Sequence, residues 1–377
     1  MSLCCIQDFR EWGGMDEDWE LLLSFFPPGW EALAAETGAL KGLRRDKSPE
    51  NLLRVLLLHL GCGHSLRETA VRARRSGLAD LSPVALKKRL AKSGPWLLSL
   101  CQALFEGPSP DRAGLEVRAV DATTVKEPGK TGSLWRVHYS MRLPSLVCDH
   151  FVVTGTEGVG TGESFRRFPV AAGDHLIGDR GYSTASGIAH VAASGGRVMV
   201  RVNTGSLRFV LADGRRFDLR NAVSALDRPG SVASWDVATA SVDGRVCAIR
   251  KSDAAIGIAL EKLRRKAAKN GRTPKPQSLE FAKYVIVFTT FPESGFAPET
   301  VLDWYRLRWQ VELAFKRFKS VAQLGHLPKR GGESSKAWLY GKLFTALLTE
   351  RLIAHASAFS PWGYDLQAPR SHPEPVA

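Results

Sequence analysis

Apolar positions fall at helical spacing through roughly the first hundred residues of this chain and at strand-like spacing through much of the rest. Trp19 to Phe26, Glu31 to Leu43 and Pro49 to Leu60 are expected as helices. Two shorter helices, Leu66–Arg75 and Pro83–Ala91, have a helix-turn-helix look: Ser65 can cap the first, with Glu68 at the capping-box position. Gly77 breaks that helix and Ser82-Pro83 opens the next. Gly107-Pro108-Ser109-Pro110 reads as a linker. Behind it Leu115–Val120, Leu134–Met141 and Leu146–Thr154 read as an antiparallel meander, and His175–Gly178 as a short strand before a helix at Thr184–Ala193. Short strands are expected from Arg197 to Arg250, with turns at Ala212-Asp213-Gly214 and Asp243-Gly244. A helix at Ile258–Asn270, stopped by Gly271 and Pro274, precedes a strand at Phe281–Thr290. A long helix from Pro298 to about Leu324 and another from about Ser335 to Ala356 complete the pattern, and a Pro-rich tail follows Ser360.

The long helix carries the most informative stretch, Y-R-L-R-W-Q-V-E-L-A-F-K-R-F-K from Tyr305 to Lys319. At 100° per residue, Tyr305, Arg308, Glu312 and Lys319 fall within about 60° of arc. Trp304, Leu307, Val311, Ala314, Phe315 and Phe318 fill an adjoining sector about 100° wide, a core-facing stripe. One face packs, and its neighbour presents a carboxylate, a phenol, a guanidinium and an ammonium. That set suits a metal ion beside a phosphate; it also suits a surface helix with i, i+4 ion pairs.

Charge narrows the partner. The 377 residues carry a net charge of +14, and a pI near 9.7 points to a polyanion, DNA or RNA rather than a membrane surface. No signal peptide is visible, and the apolar run Leu52–Leu60 is too short to span a bilayer. The six cysteines form no C-x-x-C pair, so they read as reduced thiols in a cytoplasmic protein. Nor does any H-x-x-x-H pair suggest zinc. Arg67, Arg72, Arg74, Arg75, Lys87, Lys88 and Arg89 make the helix-turn-helix segment basic, and Lys262, Arg264, Arg265 and Lys266 do the same for a later helix. Both suit contact with a DNA backbone; both also suit a solvated helical face.

Two apolar strands end in an acid. Val117–Val120 delivers Asp121, followed by Ala122-Thr123-Thr124, and Leu176-Ile177-Gly178 delivers Asp179, followed by Arg180-Gly181-Tyr182. Carboxylates at strand ends supply hard oxygen ligands for Mg²⁺, although a single Asp there is usually a turn former. D-A-T-T-V, G-D-R-G-Y and Y-x2-R-x3-E-x6-K together resemble the DDE transposases of insertion sequences, most closely the insertion-sequence-four group with the Y-R-E-K signature. The resemblance runs from about residue 50 to residue 355.

The resemblance implies an α/β chain with a ribonuclease-H-like catalytic core, interrupted by a β-rich insertion domain and preceded by an all-helical DNA-binding domain. The 133 positions between Asp179 and Glu312 leave room for the insertion. The expected boundaries are 1–110 for the helical domain, 111–195 and 283–377 for the core, and 196–282 for the insertion. By the same resemblance Asp121, Asp179 and Glu312 are catalytic and hold two Mg²⁺ ions, with Mn²⁺ as a substitute. Tyr305, Arg308, Lys319 and Arg180 bind DNA phosphates. The implied reaction is cleavage at terminal inverted repeats and strand transfer to target DNA, by a homodimer in the synaptic complex. The alternatives are a non-catalytic DNA-binding protein or repressor derived from such an element, and a stand-alone Mg²⁺ nuclease. If a hairpin intermediate forms, Trp235, Tyr284, Trp304 or Trp309 is a candidate to hold a displaced base.

Overall fold

Serine caps open three of the helices near the N-terminus. In the computed structural model, which describes residues 15–43, 47–105, 117–128, 134–143, 147–158, 160–320, 327 and 332–358, Ser48, Ser65 and Ser82 accept from the backbone N–H of Asn51, Glu68 and Ala85. The helices are α1 (Met15–Leu23), α2 (Trp30–Glu36), α3 (Pro49–Leu60), α4 (Leu66–Arg75), α5 (Pro83–Lys92) and α6 (Gly94–Phe105). The Glu68 carboxylate bonds Arg72 rather than closing a capping box. Gly77, at φ 71°, ends α4 in a Schellman motif, with Leu78 N–H donating to the Ala73 carbonyl. Val55, Ala73 and Leu86 then join α3, α4 and α5 in a small core. The 107–110 linker and the tail beyond Ser360 lie outside the described residues.

By contact the chain divides into two units: Met1–Ser109 with Glu127–Gly132 and Arg317–Ala377, and Pro110–Lys126 with Ser133–Lys316. The second is built on one eight-stranded sheet in the order β3-β2-β1-β4-β5-β8-β7-β6. Its strands are β1 (Val117–Lys126), β2 (Leu134–Leu143), β3 (Cys148–Gly155), β4 (His175–Gly178), β5 (Arg197–Arg201), β6 (Val232–Thr239), β7 (Val242–Arg250) and β8 (Tyr284–Thr289). β1, β2 and β3 form the expected antiparallel meander, whereas β4 and β5 run parallel to β1. β6 and β7 extend this same sheet through β8 rather than forming one of their own. Helices α7 (Ala185–Ala193), α8 (Leu219–Ser224), α9 (Asp253–Lys269), α10 (Pro276–Phe281), α11 (Pro298–Leu307) and α12 (Trp309–Ser320) follow in chain order among the strands. Val120, Leu176, Val198, Val200 and Phe288 from the strands bury with Ile188 and Val191 of α7 and Val223 of α8.

Two expectations change. The β6–β7 turn is Ala240-Ser241, at φ 50° and 60°, not Asp243-Gly244, which lies within β7. Gly244 is there because a Cβ would come 2.5 Å from the Thr289 carbonyl oxygen. The long helix is broken at Arg308 into α11 and α12, where Val311 N–H turns back to the Arg308 carbonyl.

The last helix, α13 (Gly332–Ala358), belongs with the N-terminal helices. It packs on α3, α5 and α6; Gly341 leaves room for Leu60, and Phe344 meets Phe26 edge-on. Residues 283–377, expected in one domain with the sheet, are therefore shared between the two units. Among the described residues, no helix is long and apolar enough to cross a membrane.

Candidate active site

The pairing of three parallel strands brings the site together. β1 pairs with β4 as far as Val120↔Gly178, and β4 with β5 as far as Gly178↔Val200. The next residue on each strand is Asp121, Asp179 and Arg201. Neighbouring strands lie about 4.8 Å apart, so two acids and an arginine stand side by side at the carboxyl ends of the parallel strands. β1 continues past Asp121, whereas β4 ends and Asp179 caps a tight turn at Arg180–Tyr182. Asp179 Oδ1 accepts from Gly181 N–H at 2.6 Å, and Asp121 Oδ1 accepts from Ala122 N–H at 2.7 Å.

The joint between α11 and α12 adds the other groups. Arg308 donates to Asp121 Oδ2 at 3.3 Å and to Glu312 Oε1 at 2.7 Å, so one guanidinium ties the first acid to the last. Glu312 is half exposed, and Tyr305 is buried with the Arg308 guanidinium 6.0 Å from its ring centre. The side chains of Ala314, Phe315, Phe318 and Lys319 lie outside the described residues. Asp179, Arg180, Arg201, Tyr305 and Arg308 line an open pocket of about 260 Å³. Arg180 and Arg201 also line a neighbouring groove of about 350 Å³, with Lys251, Lys262, Lys266 and Tyr284 among its walls.

Electrostatics mark the same spot. Burial first, and then the charges of Asp179 and Glu163, push the Asp121 carboxyl up to about 6, against the Ala122 N–H and Arg308. Burial and Asp179 raise Glu163 as well. Burial opposes the Arg308 charge, but Tyr305, Glu312 and Asp121 outweigh it and raise its pKa. Burial, with Arg201 and Arg180 adding, brings Lys251 down to about 8. Acids that repel one another, beside cations, suit a hard divalent ion and a phosphate. As they stand, though, no three acidic, histidine or cysteine side chains among the described residues are close enough to hold an ion. The donor chemistry fits a metal, and Arg308 engages one oxygen of Glu312.

The expected DNA-backbone cations separate. Arg67, Arg74, Arg75 and Lys88 are exposed, Arg72 and Lys87 are half-buried, and Arg72 and Arg74 pair with Glu68 and Asp80. Arg89 is buried instead, donating to the Ala39 and Lys41 carbonyls, because its place on α5 faces the helical core. On α9, Lys262 and Lys266 reach the groove, Arg264 is exposed and Arg265 pairs with Glu261. Of the four aromatic candidates only Tyr284 lines that groove; Trp235 packs on Phe217, Trp304 on Phe296, and Trp309 is exposed. Sequence reasoning missed Glu163 and Arg201. Arg201 had a signal, since Val198-Met199-Val200 is an apolar strand ending in a charge just as β1 and β4 do.

Comparison with known proteins gives the family. A family model described as "Transposase DDE domain" matches residues 112–348. InsL of Escherichia coli K12, assigned as the transposase of insertion sequence element IS186A, is 31% identical over 359 residues, covering 92% of this chain and 96% of its own length. The transposase of insertion sequence element IS421 from Escherichia coli is 31% identical over 360 residues, with the same coverage. A shorter match, 33% over 89 residues, covers 24% of this chain and 19% of the transposase of IS231F from Bacillus thuringiensis subsp. israelensis. The family generally uses divalent metal ions. The chain belongs to the DDE transposases of insertion sequence elements, enzymes that cut and transfer DNA.

Proposed function

We propose that this chain is a catalytically intact cut-and-paste transposase of the insertion-sequence-four group, acting at the terminal inverted repeats of its own element. The observation that carries this is the shared strand register that sets Asp121, Asp179 and Arg201 abreast, with Arg308 joining Asp121 to Glu312. The order β3-β2-β1-β4-β5, antiparallel and then parallel, supports a ribonuclease-H-like core. Because β5 (Arg197–Arg201) is the fifth strand of that core, the inserted segment begins after Arg201 rather than at residue 196, and the helical unit is the part that recognises DNA.

Asp121, Asp179 and Glu312 would hold two Mg²⁺ ions, or Mn²⁺ in their place, which activate a water or a DNA 3′-hydroxyl and stabilise the leaving oxygen. The chain's own cations do the positioning. Arg180, Arg201 and Arg308 surround one pocket and offer planar, paired N–H donors to phosphate oxygens. The buried Tyr305 ring lies beside the Arg308 guanidinium, and Lys319 completes the Y-R-E-K set. Synapsis of two ends calls for at least a dimer on DNA. Retention of all three acids and the full signature favours an enzyme over a DNA-binding derivative without chemistry. Incubating the protein with Mg²⁺ and a supercoiled plasmid carrying the element ends should release cut ends, and Asp121→Ala and Glu312→Ala should bind those ends without cutting. Cutting by either variant at the parent rate would refute the assignment.

A further inference from the structure

Glu163, outside the three signature acids, lies against the turn that carries Asp179. Its carboxylate rests on the Gly181 backbone: a side chain at that glycine would put its first carbon 1.7 Å from Glu163 Oε2 and 3.1 Å from Asp179 Oδ1. The glycine of G-D-R-G-Y is thus the space in which a further acid sits. A second, independent observation concerns Tyr182. Its ring is wholly buried against Phe165 and Phe168, and its hydroxyl has no hydrogen-bond partner among the described residues. The charges of Asp121, Glu163 and Asp179 all act on that hydroxyl. A buried O–H left unpaired is costly, and water around an ion held near these acids would supply the missing partner.

We propose that Glu163 is a fourth acid of the divalent-cation site, strengthening ion binding at Asp121 and Asp179, with the Tyr182 hydroxyl meeting the ion's hydration shell. Glu163 is a positioning residue: it acts through the Asp179 turn and the ion's waters, and Arg136 balances part of its charge. The inference rests on the reading of Asp121 and Asp179 as cation-holding acids.

The test is Mn²⁺ binding by the full chain, followed by electron paramagnetic resonance of the free ion, with melting measured in chelator as a check on folding. Glu163→Gln should weaken Mn²⁺ binding about tenfold, and Glu163→Asp should recover part of the loss. Tyr182→Phe should weaken binding several-fold with its melting in chelator unchanged, which keeps the proposal testable if Glu163→Gln folds poorly. Parent affinity in Glu163→Gln or Tyr182→Phe, alongside lost binding in Asp121→Asn, overturns this proposal alone. Parent affinity in Asp121→Asn overturns the reading beneath it.

Discussion

Asp121 is pulled two ways: burial and neighbouring acids favour its neutral form, while Arg308 and the Ala122 N–H favour the charged one. The first pair wins, so the folded chain holds this proton to about pH 6, against 3.8 for an unperturbed group. A raised acid makes folding less favourable once it must ionise. Without divalent cations, stability should therefore fall as pH climbs from about 4 through about 6 and level off above. Asp121→Asn, which cannot ionise, should match its parent near pH 4 and exceed it by about 3 kcal/mol at pH 8; melting in chelator across that range checks this. Arg308 makes the complementary prediction. Lysine keeps the charge but not the fork that reaches Asp121 and Glu312 together. Arg308→Lys should slow end cleavage about a hundredfold, with binding of the ends nearly unchanged, as measured by single-turnover cutting beside a gel-shift titration.

Among elements, the β6–β7 hairpin departs furthest from its local signals. Ala240 and Ser241 take left-handed backbone without the residues that favour it, while Asp243-Gly244, a strong turn pair, lies in the strand. Replacing Ala240-Ser241 with Asn-Gly should stabilise the protein by about 1 kcal/mol, and Gly244→Ala should destabilise it by about 2–3 kcal/mol, both read by urea unfolding. The hairpin also shows how far the pattern of residues reaches. Helices α3, α4 and α5 were legible because serine or serine-proline caps stand before amphipathic runs. Asp121 and Asp179 were legible as strand-end acids, but their adjacency depends on β1 and β4 pairing across 58 positions of chain. Arg201 carried the same strand-end signal, but its place next to Asp179 depends on β5 running parallel to β4. Helix α6 was not anticipated: Trp96, Leu97, Leu100, Cys101 and Leu104 are all buried, which blurs its helical period. Neither proline nor glycine marks the break at Arg308, so an ideal helix was the natural expectation there.

For the molecule as a whole, a net charge of +14 sets the terms of DNA binding. Each phosphate contact releases counterions, so affinity should fall steeply with salt. Lys262 and Lys266 line the groove beside the site. Changing both to alanine should flatten the log–log salt dependence by about 2, measured by fluorescence anisotropy on end DNA between 50 and 200 mM salt; an unchanged slope would remove α9 from the interface. Helix α13 bears on an earlier moment in the life of the chain. Its packing on α3, α5 and α6 means that these helices, once synthesised, await a partner encoded well after the whole sheet. During translation the apolar surfaces of Leu60 and Phe26 stand uncovered while the sheet is still being made, which exposes the nascent polypeptide to chaperones and proteases. A transcript cut short before α13 would yield a sheet unit with its strands complete and a helical unit without its last helix.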